Sequence, residues 1–244
     1  MDPDPDTGVV PADLRRVLES ARQRHLLGAV PVDDQVAHAL GFAQAAGTVP
    51  RHWMDLGSGG GLPGLVLAWT WPDSSGVLLD SAHRRTEFLE EAIRSLAWRT
   101  RLQVVCARAE EAGRDPALRE TFDLVVARSF GPPAVTAECA APFLRVGGLL
   151  VVSEPPRPDR PVLDEHAPPT GDVALDGTAV GGSPPDPGTE RWRAEELAEL
   201  GLEPLGPARA RFGYQVLVQV NPCPTRFPRR PGMATKRPLY RTQG

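Results

Sequence analysis

The sequence predicts an α/β protein built on a doubly wound parallel sheet, and three observations carry that prediction. Short apolar runs alternate with amphipathic helical patterns from about residue 53 to residue 152, the rhythm of strand, crossover helix and strand. The first run, Trp53-Met-Asp-Leu56, passes directly into a glycine-rich turn and then into a helical pattern. The second, Val77-Leu-Leu79, ends in Asp80, and an acid at that end of a doubly wound sheet lies beside the ligand crevice.

Composition narrows the classes further. A chain of 244 residues, 41% of them hydrophobic, buries one sizeable core. No apolar run reaches the roughly 18 residues that span a bilayer, and the opening Met-Asp-Pro-Asp-Pro-Asp is acidic where a secretory leader is basic. A cytoplasmic protein, away from the membrane, is expected. Cys106, Cys139 and Cys223 are odd in number and lack paired spacing, so they read as reduced, mostly structural thiols. The histidines are equally dispersed, so no metal is expected. A monomer is expected as well.

Taken in order, residues 1–11 are rich in Pro and Asp and are expected to be disordered. Residues 12–50 form a helical cover: Leu14, Val17, Leu18, Ala21 and Leu26 mark a helix from Ala12 to Leu27, and Val36, Ala37, Leu40 and Ala43 mark a second from Asp33 to Ala46. The main domain, 51–244, begins with the glycine turn. Gly57, Gly59, Gly60 and Gly61 let the backbone turn tightly and approach a ligand, aiming free amides at it, while Pro63 suits a first helical turn.

A helix from Leu62 to Trp71 is expected next, then strand two with Asp80. That acid either accepts ribose hydroxyls or caps the next helix, which runs over Ser81–Trp98 on Phe88, Leu89, Ala92, Ile93 and Leu96. Strand three is Leu102–Val105, after which Arg108-Ala109-Glu110 stands at the same edge, where its backbone and Glu110 can meet an adenine amino group. Strand four, Phe122–Ala127, leads into the loop Arg128–Pro133. A helix over Ala134–Leu144, a Gly147-Gly148 turn and strand five, Leu149–Val152, follow.

From 154 to 189 Pro, Gly and Asp dominate, and the segment reads as a low-complexity, disordered insertion. A helix near Arg191–Leu200 and a strand, Tyr214–Val220, precede a basic tail over 223–244. Arg226, Arg229, Arg230, Lys236, Arg237 and Arg241 stand there without an acid among them. The net charge of −4 argues against broad capture of naked nucleic acid. The tail is either a solvated terminus or a nucleic-acid contact.

Gly59, Gly61 and Gly64 also satisfy the short GxGxxG pattern of dinucleotide sites. Asp55 decides against that reading. A carboxylate ahead of the turn repels a pyrophosphate and attracts the ammonium and sulfonium of S-adenosylmethionine. The form Asp55-x-Gly-x-Gly-x-Gly61 resembles motif I of class I methyltransferases.

Asp55-Leu-Gly-Ser-Gly-Gly-Gly-Leu-Pro-Gly64, with its specific Leu-Pro-Gly ending, is followed in order by Leu79-Asp80, Arg84-Arg85-Thr86-Glu87-Phe88-Leu89, Arg108-Ala109-Glu110 and Ala127-Arg128-Ser129. Together with Phe227-Pro-Arg-Arg-Pro-Gly232 and Lys236-Arg-Pro-Leu239, these residues resemble the RsmG (GidB) family, guanine-N7 methyltransferases of small-subunit ribosomal RNA. The resemblance implies a Rossmann-like class I methyltransferase fold. It implies S-adenosylmethionine contacts at Asp55, Gly57, Ser58, Gly59, Gly61, Leu62, Asp80, Ala109, Glu110 and Arg128. Contacts to RNA are implied at Arg229, Arg230, Lys236 and Arg237, with ribosomal RNA or the small subunit as partner. Two departures stand out. Glu154-Pro155 replaces the family's usual Lys-Gly after strand five, setting an anion at the rim, and only Arg24-His-Leu-Leu27 is similar to the family's His-Leu segment.

Methyl transfer from a sulfonium is an in-line displacement, and guanine N7 already carries a lone pair, so no general base is required. Arg128 either orients the acceptor, through the guanine O6 edge or a phosphate, or pairs with a carboxylate such as Glu110. The alternatives are a methyltransferase of small molecules or proteins and a cofactor-binding paralogue without turnover.

Overall fold

The computed structural model describes residues 8–155, 191–209 and 212–241. Its strands are β1 (His52–Leu56), β2 (Ser75–Asp80), β3 (Leu102–Cys106), β4 (Phe122–Ala127), β5 (Leu144–Ser153), β6 (Leu202–Arg209) and β7 (Gly213–Gln219). They form one sheet in the order β3-β2-β1-β4-β5-β7-β6. The first five are parallel, whereas β7 pairs antiparallel with β5 and with β6. The order reverses between β1 and β4, so the crevice of a doubly wound sheet opens beyond the carboxyl ends of those two strands.

Strand alternation assigns each side chain to a face. Trp53, Leu78, Leu124, Val126 and Val151 bury against a cover formed by α1 (Ala12–Gln23), α2 (Val32–Ala46), α3 (Gly64–Thr70) and α4 (His83–Ser95). Met54, Leu56, Val77, Leu79, Val125 and Ala127 face the opposite layer. There α5 (Ala109–Ala112), α6 (Pro133–Ala140), α7 (Ala194–Ala198) and the chain after β7, with its short α8 (Met233–Lys236), complete the core.

Several sequence boundaries need correction. The first helix stops at Gln23, short of Leu27, because His25 takes a left-handed backbone (φ 57°) and the Leu26 amide turns back to the Ala21 carbonyl. That reversal brings Leu26 and Leu27 against the glycine turn, where a Cβ on Gly60 would stand 2.7 Å from Leu27 Cδ2. The third helix begins after Pro63, at Gly64, and the Gly147-Gly148 turn is a register shift inside a longer β5.

Strand β6 was not expected from the sequence at all. Its Pro204 and Pro207 argue against a central strand, but β6 is the edge and pairs only with β7, where missing amide donors are tolerated. At the amino end Val10 is buried, so order begins ahead of the expected boundary at residue 12; residues 1–7 lie outside the described residues. So does the insertion read at 154–189 from residue 156 onward. Among the described residues no helix is long and apolar enough to cross a membrane.

Candidate cofactor and acceptor site

The glycine turn leaves β1 and is bound to the end of β2. The amides of Gly57 and Ser58 both donate to the Leu79 carbonyl (2.8 and 3.0 Å), and the Gly59 amide donates to Asp80 Oδ2 (2.9 Å). Gly61 donates to the Ser58 carbonyl (2.8 Å) and Gly64 to Asp55 Oδ2 (2.9 Å). Left-handed backbone at Gly57 (φ 78°) and Gly61 (φ 96°) makes this path possible. The expectation that the turn aims free amides at a ligand is therefore corrected for these positions: their donors are spent inside the protein. A pyrophosphate needs such donors, so the geometry disfavours a dinucleotide for a second, independent reason.

Asp55 is fully buried. Its Oδ2 holds Gly64, while its Oδ1 has no hydrogen-bond partner. Burial pushes this carboxyl up to about 7, opposed by the hydrogen bond from Gly64 and by the charge of Arg128; the Ser58 hydroxyl donates to the Asp55 backbone carbonyl (3.0 Å) and leaves the carboxylate oxygens alone. A cation placed beside Oδ1 would satisfy that orphan oxygen and return the carboxyl to its charged form. Phe130 closes one side of the turn, its Cδ2 2.7 Å from where a Cβ on Gly57 would stand. Space beside Gly59 is open, with nothing nearer than the Gly57 carbonyl at 3.9 Å.

Arg128, just past the end of β4, is half-buried beneath α2. Its Nη2 lies 3.4 Å from Gln35 Oε1, and no bond joins it to Glu110, the carboxylate weighed as its alternative partner. Burial lowers its pKa and the Asp55 charge raises it; a guanidinium in this setting remains a cation. His38, one turn along α2, keeps a buried Nδ1 without partner, and burial together with Arg128 lowers its pKa to about 4. Tyr214 on β7 donates to the His38 carbonyl (2.6 Å), its hydroxyl occupying the space where a Cβ on Gly41 would fall. The imidazole is thus neutral near pH 7 and stands among aromatic rings, with Phe212 at 4.7 Å.

Asp80 is buried and already accepts three donors: Gly59 N, Ala82 N (2.8 Å) and, at 3.4 Å, Arg85 Nη1. Two carboxylate oxygens offer about four acceptor positions, so Asp80 keeps room for one ribose hydroxyl, and for two if Arg85 swings away. The capping alternative takes a modified form: Asp80 holds the Ala82 amide, which precedes α4, and the first turn of that helix receives no side-chain cap. Ser58 and Leu62 are buried within the turn, and Ala109 opens α5.

Glu110 differs from expectation. It is buried, and its Oε1 accepts the backbone amide of Gly232 (2.8 Å), so one of its oxygens serves the tail. That tail is neither a solvated terminus nor a free basic strand over its described length. Cys223, Phe227, Ala234 and Tyr240 are buried in the core. Arg119 donates to the carbonyls of Cys223, Pro224 and Phe227, and Arg114 to that of Pro228. Arg229 grips Glu138 on α6 through Nε (2.9 Å) and Nη2 (2.5 Å), its own amide adding a third bond (3.0 Å). Of the four cations assigned to RNA, Arg230, Lys236 and Arg237 are exposed and Arg229 is held inward.

Glu154, expected as an anion at the rim, is likewise neutralised: it accepts Trp192 Nε1 (2.7 Å) and pairs with Arg191 (3.0 Å). Sequence reasoning missed Gln35, Arg119 and Glu138. Gln35 alone left a signal, a carboxamide in register with the apolar face of α2 formed by Ala39, Phe42 and Ala46.

Strand order, crevice and acid-bearing strand ends together define a class I methyltransferase fold, and solved structures agree. A putative O-methyltransferase from Klebsiella pneumoniae superimposes with a TM-score of 0.54 at 15% identity, over 86% of this chain and 91% of that one. The O-methyltransferase TomG from Streptomyces achromogenes, in complex with SAM, gives the same score, identity and coverage. At such identities the likeness carries the fold alone.

The family comes from sequence comparison. Residues 16–156 match the model of GidB, rRNA small subunit methyltransferase G. The protein named ribosomal RNA small subunit methyltransferase G of Symbiobacterium thermophilum is 35% identical over 217 residues, covering 86% of this chain and 80% of that protein. The one of Pelotomaculum thermopropionicum is 33% identical over 186 residues, covering 76% and 69%. The chain belongs to the GidB (RsmG) family of methyltransferases.

Proposed function

We propose that the protein transfers a methyl group from S-adenosylmethionine to N7 of a guanine in small-subunit ribosomal RNA. The single observation that carries the choice of cofactor is the fully buried Asp55, whose unpartnered Oδ1 stands beside a glycine turn in which the amides of Gly57, Ser58, Gly59 and Gly61 are bonded within the protein. This arrangement suits a cationic amino-acid end and refuses a pyrophosphate. Family membership carries the choice of acceptor.

In this reading Asp55 and the backbone of Gly57 hold the amino-acid end, and Asp80 takes the ribose. The segment Ala109-Glu110 borders the adenine, Glu110 being kept in place by the tail amide of Gly232. When bound, the cofactor would supply a methyl on sulfonium as the electrophile for the guanine N7 lone pair, the S–C bond breaking as the N–C bond forms and S-adenosylhomocysteine leaving. Arg128 contributes orientation: its guanidinium presents parallel donors to the guanine O6 edge, to a phosphate, or to the cofactor carboxylate. His38, neutral near pH 7, places no second cation beside Arg128. No side chain has to remove a proton, since N7 carries none, and the barrier falls through alignment. Among the described residues no cluster of His, Cys, Asp and Glu could hold a metal. Arg230, Lys236 and Arg237 are the tail cations available to phosphates.

The test is methyl transfer in vitro. Protein, labelled S-adenosylmethionine and small ribosomal subunits from cells lacking this gene are incubated, and the RNA is digested to nucleosides. Label in 7-methylguanosine is expected. Label in protein or in a small molecule would overturn the acceptor assignment.

A further inference from the structure

We propose that Gln35 is a positioning residue that holds the Arg128 guanidinium in its working orientation. The inference rests on the reading that Arg128 belongs to the site.

Gln35 is 2% exposed and lies on the face of α2 that packs toward the sheet, among Val32, Val36, Ala39 and Phe42. A carboxamide on such a face is costly unless both of its ends are bonded. Here they are. The amide nitrogen donates to the carbonyls of Val30 (2.8 Å) and Gly28 (3.3 Å), and Oε1 accepts from Arg128 Nη2 at 3.4 Å. Two carbonyls on one side fix which end is nitrogen, because a flipped amide would set oxygen against oxygen and N–H against guanidinium. The carbonyl therefore points at Arg128 by necessity of the local backbone.

The remaining surroundings of Arg128 give it little else to hold. Asp55 acts on it through charge without a direct bond, His38 is a neutral ring, and Tyr214 directs its hydroxyl to the His38 carbonyl. An arginine side chain samples many rotamers, so holding it in one orientation needs a fixed partner. One fixed acceptor restricts the rotamers open to the guanidinium and leaves its other donors for a ligand. The loop at residues 28–30 is bonded to the same amide, so the helical cover and the site share one side chain.

Four variants test this, Gln35→Met, Gln35→Glu, Arg128→Ala and the Gln35→Met/Arg128→Ala double, each measured for thermal stability, S-adenosylhomocysteine affinity, KM and kcat. Gln35→Met keeps the shape and removes the acceptor; kcat/KM is expected to fall about tenfold, toward the lower end for a hydrogen bond to a charged group because the contact is long. In an Arg128→Ala background the same substitution should add less than a twofold further loss, since nothing is left to orient. Gln35→Glu keeps an acceptor for Arg128 and loses the donors to Val30 and Gly28. It should recover most of the kcat/KM lost in Gln35→Met while melting lower than the parent. Equal losses in both backgrounds, or a Gln35→Glu enzyme as slow as Gln35→Met, would overturn the proposal and leave Gln35 as a packing residue. If Gln35→Met does not fold, Gln35→Glu is judged against the parent: a kcat/KM within about threefold of the parent supports the proposal, and a loss of about tenfold or more overturns it. An Arg128→Ala protein with the parent's kcat/KM would instead overturn the placement of Arg128 itself.

Discussion

Replacing Arg229 with methionine should destabilise the whole protein, and the structure sets the size of the effect. The Glu138 side chain is 0% exposed, and its oxygens receive Arg229 Nε, Nη2 and the Arg229 amide. Removing the guanidinium deletes both side-chain bonds and leaves a buried carboxylate with one backbone donor. Breaking a buried pair in this way costs about 3–5 kcal/mol. For a chain of this length each kcal/mol corresponds to about 2–4 °C in Tm, so a fall of about 6–20 °C is expected by calorimetry at pH 7. Pairing the change with Glu138→Gln should recover most of the loss, because no charge is then buried without a partner. A single variant that melts within about 2 °C of the parent would refute the claim that this ion pair anchors the tail. So would a double variant less stable than the single.

Three further outcomes follow from the same geometry. Asp55 has a folded-state pKa of about 7 against an ordinary value of 3.8. Its contribution to stability is therefore present at low pH and lost as pH rises through about 7. A cationic cofactor end needs the charged form, so affinity for S-adenosylhomocysteine should rise with pH up to about 7, with proton release visible by calorimetry in buffers of different ionisation enthalpy. Asp55→Asn should abolish that release, and an unchanged proton count would remove Asp55 from the cofactor's reach. Asp80→Ala should weaken cofactor binding by at least about 1.5–3 kcal/mol, since it frees the Gly59 amide as well as a hydroxyl partner; an unaltered Kd would confine Asp80 to holding the turn. Neutralising Arg230, Lys236 and Arg237 together should flatten the salt dependence of RNA binding by about 0.7 per cation. A slope that stays put would exclude them as phosphate contacts.

How far the sequence could be read depends on the range of the forces involved. Asp55, the glycines and Asp80 sit within one strand-turn-helix and the strand after it, where local geometry dictates their places, and β4 was legible to the residue because Leu124–Ala127 forms an apolar run behind Phe122-Asp123. Strand β6 was hidden because its prolines satisfy a rule that only its edge position relaxes. Arg229 looked like one cation among several in a basic stretch, and nothing local marks it as the partner of Glu138, 91 positions earlier. The amides of Gly57, Ser58 and Gly59 looked free for a similar reason: their acceptors, the Leu79 carbonyl and the Asp80 carboxylate, belong to another strand. Gln35 meets Arg128 across 93 positions, through packing that no periodicity encodes.

The most direct measurement is a map of methylated guanines in ribosomal RNA from cells with and without this gene, read at single-nucleotide resolution by cleavage specific for 7-methylguanine. One small-subunit guanine should lose its N7 methyl in the deletion, regain it with the parent gene and stay unmodified with the Arg128→Ala gene. An identical map in all four strains, from a protein that nonetheless binds S-adenosylhomocysteine, would contradict the account.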